Sequence, residues 1–317
     1  MVGAVKRLAV VGAGAVGSNL AAHLCSLPDA EVSVVARGAH LAAIQTGGLE
    51  VKTGGKILHC TPAATADAAT LPPQDLVFVT LKAPAVPAMA ESIAGLIAPG
   101  GAVVFFVNGV PWWMEDEAAD PRLVAIDRST VLGGVVYSSN RIDRPGHVVH
   151  DGADRWAVGE PGGGSSARIE GVATLLTRAG LNGVAHPGLR EEIWSKLLYN
   201  APVNPVAALT RMDCAQLNPH VPLNRLGMQI RREIAAAAAA DGTDLAGHPA
   251  LALWEDMQLA TPVKPSMLQD VLAGRPMEID AIVDAPRRIA ARHGVPTPAL
   301  DVVSALIGGL AIGLGTA

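Results

Sequence analysis

Cysteine is scarce in this chain of 317 residues: it has only Cys25, Cys60 and Cys214. An odd, sparse set without metal-ligand spacing excludes a disulfide framework and a zinc site, and predicts reduced thiols in a reducing compartment. Basic runs are absent too, and the net charge is -5. With nothing to neutralise a phosphate backbone, a nucleic-acid partner is excluded. Long apolar runs are missing as well. Residues 302–313 are apolar but too short and glycine-rich to span a bilayer, so they read as a buried terminal helix. Lys6 and Arg7 precede an apolar run as in a signal peptide, but a glycine motif explains that run better. A cytoplasmic protein without a membrane partner is expected. No internal repeat is evident.

Half of the residues are hydrophobic and 17% are charged, a balance that predicts folded cores rather than disorder. The length suits two domains. The chain opens with Leu8-Ala9-Val10-Val11, followed by Gly12-Ala13-Gly14-Ala15-Val16-Gly17 and an Ala/Leu-rich helical segment. This is G-x-G-x-x-G in the strand-turn-helix context of a dinucleotide fingerprint. Gly12 lets the chain turn, Gly14 lets a pyrophosphate approach the backbone, and Gly17 lets the helix pack on its strand. Free N–H groups and the dipole at the helix start favour phosphate. Close helix–strand packing without a ligand is the alternative reading.

Residues 31–37 read as a second buried strand, ending in Ala36-Arg37, and no acid appears before Glu50. An acid there suits a ribose hydroxyl and an arginine suits a 2′-phosphate, so NADPH is expected over NADH. Strand-like stretches follow at 49–52 and 56–61. The run 75–82 ends in Lys82, beyond a strand's carboxyl end, where ligands of parallel sheets bind. A helix at 86–97 and a strand at 102–107 complete a β-α-β alternation. Further strands are expected at 123–126 and 133–137, with a hairpin formed by 147–150 and 155–158. A helix at 167–179 and a short strand-like stretch at 183–186 precede a boundary near Pro187. Beyond it the segments 189–198, 223–240, 250–259, 279–293 and 299–312 read as helices. The expected fold is a doubly wound, Rossmann-like α/β domain over 1–187 and an all-α domain over 188–317.

The densest polar signal on an apolar background is at 191–205. Lys196, Asn200 and Asn204 are four apart, so on a helix they share one face with about 40° of drift per step. Pro202 and Pro205 predict a kink. A lysine among apolar neighbours suits proton transfer, because desolvation lowers its proton affinity. Snorkelling of Lys196 beside helix-capping asparagines is the alternative. Ser266-Met267-Leu268-Gln269-Asp270 and Glu278-Ile279-Asp280 read by themselves as ordinary helix ends.

Taken together, GAGAVG at 12–17, VTLKA at 79–83, Asn108-Gly109, WSKLLYNAPVNP at 194–205, SMLQD at 266–270, GRPMEID at 274–280 and HGVPTP at 293–298 resemble the ketopantoate reductase (2-dehydropantoate 2-reductase) family over nearly the whole chain. The resemblance implies NADPH-dependent reduction of a 2-oxo acid, 2-dehydropantoate, to pantoate. It implies a Rossmann domain and a helical domain with the site in the cleft between them. It further implies Lys196 as general acid and Glu278 as its catalytic support. Asn200, Asn204 and Ser266 would line the substrate pocket, and Asn108 would lie between nicotinamide and substrate. Arg37 and Lys82 match cofactor phosphate contacts. Two departures bear on the substrate. Trp112-Trp113 follows Asn108-Gly109 where the family has a small loop, and Cys214 stands where other members carry a pocket asparagine. They leave open a bulkier or more apolar oxo substrate. A non-catalytic NADP-binding sensor and an opine or 3-hydroxy acid dehydrogenase are the remaining readings. The apolar C-terminal helix could cover its own core or a second copy, so a homodimer is possible.

Overall fold

The computed structural model describes residues 6–115, 120–252 and 262–316. The described residues of Met1–Val107 and Ala118–Leu189 form one compact unit, and those of Asn108–Glu117 and Arg190–Ala317 form the other.

The first unit alternates strand and helix from its start: β1 (Arg7–Val11), α1 (Ala15–Leu24), β2 (Glu31–Val35), α2 (Gly38–Gly47), then β3 (Leu49–Thr53), β4 (Lys56–Cys60) and β5 (Ala63–Thr65). It continues with β6 (Gln74–Val79), α3 (Ala90–Leu96), β7 (Ile97–Phe105), β8 (Val131–Arg144), β9 (His147–Gly159), α4 (Ala167–Arg178) and β10 (Gly183–Ala185). Among the described residues these strands make one sheet in the order β4-β3-β9-β8-β7-β6-β1-β2-β5, with β10 beside β9. The pairs from β5 to β8 are parallel. Such strands are covered on both faces, and Leu8, Val10, Val34, Phe78 and Val104 are fully buried accordingly. The order reverses between β1 and β6, the point at which a doubly wound sheet opens a crevice beyond its carboxyl ends.

Four local expectations are corrected. The runs 147–150 and 155–158 do not pair with each other. Both lie in β9, whose antiparallel partner is β8, and the chain turns at Pro145-Gly146. Gly152, at φ +90°, sits in a register shift of that ladder rather than in a hairpin loop. The expected strand at 123–126 is a 3-10 turn, Pro121–Ala125, whose start is capped by the Asp120 carboxylate. The expected helix at 86–97 is α-helical only over α3, because Pro84 and Pro87 confine the preceding residues to short 3-10 turns.

The second unit is helical: α5 (Leu189–Thr210), α6 (Cys214–Leu217), α7 (Val221–Ala240), α8 (Pro249–Ala252), α9 (Ser266–Leu272), α10 (Ala285–Arg292) and α11 (Pro298–Gly313). The helix expected at 250–259 lies mostly outside the described residues. Pro202 and Pro205 stand inside α5, which continues through both as a helix. Pro202 has no N–H for the Leu198 carbonyl four residues back. The guanidinium of Arg231, itself buried, donates Nε–H to that oxygen at 3.1 Å. The fourth correction concerns α11. It buries Leu300, Val303, Ile307 and Ala311 but leaves Val302, Leu306 and Ile312 exposed. Among the described residues no helix is long and apolar enough to cross a membrane.

Candidate active site

The glycine turn behaves as its three glycines require. Gly12 adopts φ +102°, and a Cβ there would press on Leu81. Its N–H and that of Ala13 both bond the Val35 carbonyl at the end of β2, at 3.0 and 3.2 Å. A Cβ on Gly17 would fall 2.3 Å from the Gly12 carbonyl and from Thr80 Oγ1, so only glycine lets α1 pack this closely. A Cβ on Gly14 would meet nothing within 4 Å. Gly14 is therefore not demanded by packing; its bare face opens on a cavity of about 310 Å³ lined by Gly12, Ala13, Gly14, Ala36, Arg37, His40 and Leu81. Gly14 stands at the N-cap of α1, where unbonded N–H groups and the helix dipole favour an anion. The donors and the open cradle fit a dinucleotide pyrophosphate. Arg37, exposed at the N-cap of α2, adds a cation to the same wall. Lys82 follows the lining residue Leu81 at the start of a 3-10 turn and is not itself part of the lining.

In the second unit, α5 brings Lys196, Asn200 and Asn204 to one side, since the helix runs unbroken past the prolines. Lys196 Nζ donates to Asn108 Oδ1 at 2.7 Å. Asn108 Nδ2 in turn donates to Glu278 Oε2 at 3.3 Å. One amide thus joins the lysine to the buried carboxylate. Burial lowers the Lys196 pKa from the ordinary 10.5 to about 8, against the opposing charges of Glu278 and Glu192. Asn204 is buried and turns to α9: its Oδ1 accepts from Ser266 Oγ at 3.2 Å and from the Met267 N–H at 3.3 Å. It supplies the start of α9 with a cap that Pro265 lacks. Half-buried Asn200, between them, has no hydrogen-bond partner among the described residues.

The seat of Asn108 explains Asn108-Gly109. The chain entering α10 makes one π-type turn at Asp280–Asp284, in which the Ala285 N–H bonds the Asp280 carbonyl. An α-helical turn would have sent that N–H to Ala281. The Ala281 carbonyl instead accepts from the Val110 N–H at 2.7 Å. Gly109 lies against it at φ +80°, where a Cβ would come within 2.2 Å of the same oxygen. The chain just after Asn108 is therefore pinned to that turn. Beyond the glycine, Trp112 and Trp113 stack edge to face at 5.7 Å, and Trp113 is buried. The Glu115 carboxylate then takes both Arg288 Nε and Nη2 at 2.8 Å.

Two residues that matter here were not singled out by sequence. Glu192 is buried one turn before Lys196 and acts on its charge; the spacing of four to Lys196 was the available signal. His40 carries no sequence signal beyond lying shortly after Arg37.

Comparison with known proteins gives this arrangement a family. The model described as "Ketopantoate reductase PanE/ApbA" matches residues 8–163, and "Ketopantoate reductase PanE/ApbA C terminal" matches 188–311. The chain belongs to the ketopantoate reductase family. It is an oxidoreductase family, NADP-dependent in general. A 2-dehydropantoate 2-reductase of Mesorhizobium japonicum is 36% identical, over 98% of this chain and 99% of that one. A crystal structure provisionally named a ketopantoate reductase, from Ralstonia solanacearum MolK2, is 38% identical with a TM-score of 0.90, covering 99% of this chain and 100% of that one. A D-mandelate dehydrogenase in complex with NADH and anilino(oxo)acetate has a TM-score of 0.88 over 98% and 100% of the two chains. At 23% identity that likeness is one of fold.

Proposed function

We propose that the protein reduces the keto group of a 2-oxo acid to a hydroxyl with NADPH, with 2-dehydropantoate as substrate. The linked trio Lys196–Asn108–Glu278 carries this reading. The glycine turn and Arg37 would hold a nicotinamide dinucleotide, which would supply a hydride to the carbonyl carbon. The carbonyl oxygen then needs a proton, and Lys196 Nζ gives it. With a pKa near 8, Lys196 is protonated at neutral pH yet a better acid than an exposed lysine. Asn108 fixes the direction of the ammonium, and Glu278 recovers charge balance beside it. The Asn200 amide offers donors to the substrate's carboxylate, and the Ser266 oxygen, its hydrogen already given to Asn204, offers an acceptor to a substrate hydroxyl.

Arg37 is proposed to meet the 2′-phosphate that distinguishes NADPH from NADH. Arg37→Asp is expected to weaken NADPH binding by about tenfold or more, the worth of a charge-assisted contact. NADH binding should change little, and equal loss for both cofactors in a titration would reject the assignment.

A bulkier, more apolar oxo acid is the second reading, and the Trp112–Trp113 pair next to the Asn108 loop is what favours it. The deciding experiment follows NADPH consumption by the purified protein over a panel of 2-oxo acids. Fast turnover of 2-dehydropantoate supports the first reading. Weak turnover of it beside strong turnover of an aromatic oxo acid supports the second, and no turnover of any member rejects both. We also infer a homodimer, because Val302, Leu306 and Ile312 leave an apolar stripe on α11. Light scattering should return twice the chain mass, and a monomer at micromolar concentration would reject it.

A further inference from the structure

His40 stands on the wall of the glycine-turn cavity beside Ala13, Gly14 and Arg37. It is half-buried in the first turn of α2. Gly146, in the β8–β9 turn, donates its N–H to His40 Nδ1 at 3.1 Å. A ring nitrogen that accepts carries no proton, so the neutral ring holds its hydrogen on Nε2. Nε2 lies 3.0 Å from Ser18 Oγ, and that hydroxyl donates to the Ala13 carbonyl at 3.2 Å. Ser18 is fully buried. One directed chain therefore runs from the Gly146 N–H through His40 and Ser18 to the Ala13 carbonyl. The other end of the Ala13–Gly14 peptide is also held, since the Gly14 N–H bonds the Gly12 carbonyl at 2.7 Å.

We propose that His40 is a positioning residue for the dinucleotide: through Ser18 it fixes the Ala13–Gly14 peptide, so that the bare face of Gly14 stays open to the pyrophosphate. The inference rests on the reading of this cavity as the cofactor site. It carries a sign with pH. A protonated ring bears hydrogens on both nitrogens, and Nδ1–H would then face the Gly146 N–H, donor against donor. Burial already holds the His40 pKa below the usual histidine value. The chain is intact above that pKa and breaks as pH falls through it. The charged groups around it are Arg37 on its own helix and, about the Gly146 turn, Arg144 and the Glu50–His147 pair at 3.1 Å. His147 is a second histidine at that turn and needs its own control.

The test measures NADPH dissociation constants by fluorescence titration between about pH 5 and pH 8 for the wild type, H40A, H40Q and H147Q. H40A should bind NADPH about tenfold more weakly near neutral pH, the loss of one to two hydrogen bonds, with kcat at saturating NADPH within about twofold. H40Q keeps an uncharged donor for Ser18 and should recover affinity to within about threefold of wild type. Toward acid pH the wild type should lose about tenfold more affinity than H40Q, and the ratio of the two cancels the titration of the cofactor's own phosphate. H147Q should keep the wild type's extra acid loss. Wild-type affinity in H40A, or an acid loss in H40Q as steep as in wild type, would overturn the proposal. H40Q also decides the matter where H40A fails to fold. A wild type that binds neither NADPH nor NADH overturns the cofactor reading itself, and this inference with it.

Discussion

Replacing Lys196 by alanine is expected to lower turnover about a thousandfold, within the range for removing a positioned general acid, and to leave NADPH affinity nearly unchanged. The separation is expected because Lys196 lies in the helical unit and the glycine turn in the sheet unit. A group that acts only while the keto oxygen gains its proton affects kcat and kcat/KM alike. Lys196→Arg does not rescue it. Arginine keeps the positive charge but does not release a proton at any working pH. The pH profile has a defined sign. On the proposed role the reactive form is the ammonium, and burial lowers its pKa to about 8. Reduction should be level below that value and fall as pH rises through it, while oxidation of the hydroxy acid should rise over the same interval. Glu278→Gln removes a charge that stabilises the ammonium, so the limb should move to lower pH. Steady-state rates across the neutral-to-alkaline range check this. A K196A enzyme with normal turnover and lost NADPH affinity would place Lys196 on the cofactor instead.

Arg231→Met destabilises the helical unit by about 3 kcal/mol, the scale for stripping partners from buried polar groups. The Leu198 carbonyl lost its helical donor to Pro202, and Arg231 Nε replaces it at 3.1 Å. Arg231 Nη1 also reaches the Ala250 carbonyl at 3.4 Å, and the guanidinium lies 5.9 Å from the Tyr199 ring centroid. Methionine fills the space and satisfies none of these acceptors. A thermal midpoint several degrees lower, read by circular dichroism, is the expected result. The mechanism has its own check. Pro202→Ala gives back an N–H to Leu198, so Arg231→Met should cost about 1 kcal/mol less in that background. Additive losses would mean that Arg231 serves α5 in some other way. Lys196 and Asn200 sit on the turns just before Pro202, close in sequence to the carbonyl that Arg231 serves.

Much of the fold was legible because its signals are local. Mostly apolar runs marked β1, β2, β6 and β7, and the glycine spacing marked the turn into α1. The misreadings arose where a local signal has two meanings. Asp151-Gly152 has the chemistry of a hairpin turn, but within β9 it is a register shift, because the long partner β8 pairs on both sides of it. The apolar residues at 123–126 suit a strand, but Pro121 and the Asp120 cap turn them into 3-10 structure. The prolines inside α5 were legible, but the donor from α7 that serves the Leu198 carbonyl was not.

By itself the sequence determined which residue types stand at which intervals. It determined the glycine turn with Arg37 at the end of the next strand, and it set Lys196, Asn200 and Asn204 four apart. Those are backbone-period and steric facts, complete within one element. Tertiary structure decided what each group touches. It joined Lys196 to Asn108 across 88 positions of chain and Asn108 to Glu278 across 170. It turned Asn204 toward the start of α9. Gly109 shows the difference most directly. The sequence records a glycine there, and only the freed Ala281 carbonyl of a π-type turn, 2.2 Å from where its Cβ would be, explains why no other residue fits. Proton affinity depends on the water and charges around a group, and neither is set until distant segments pack.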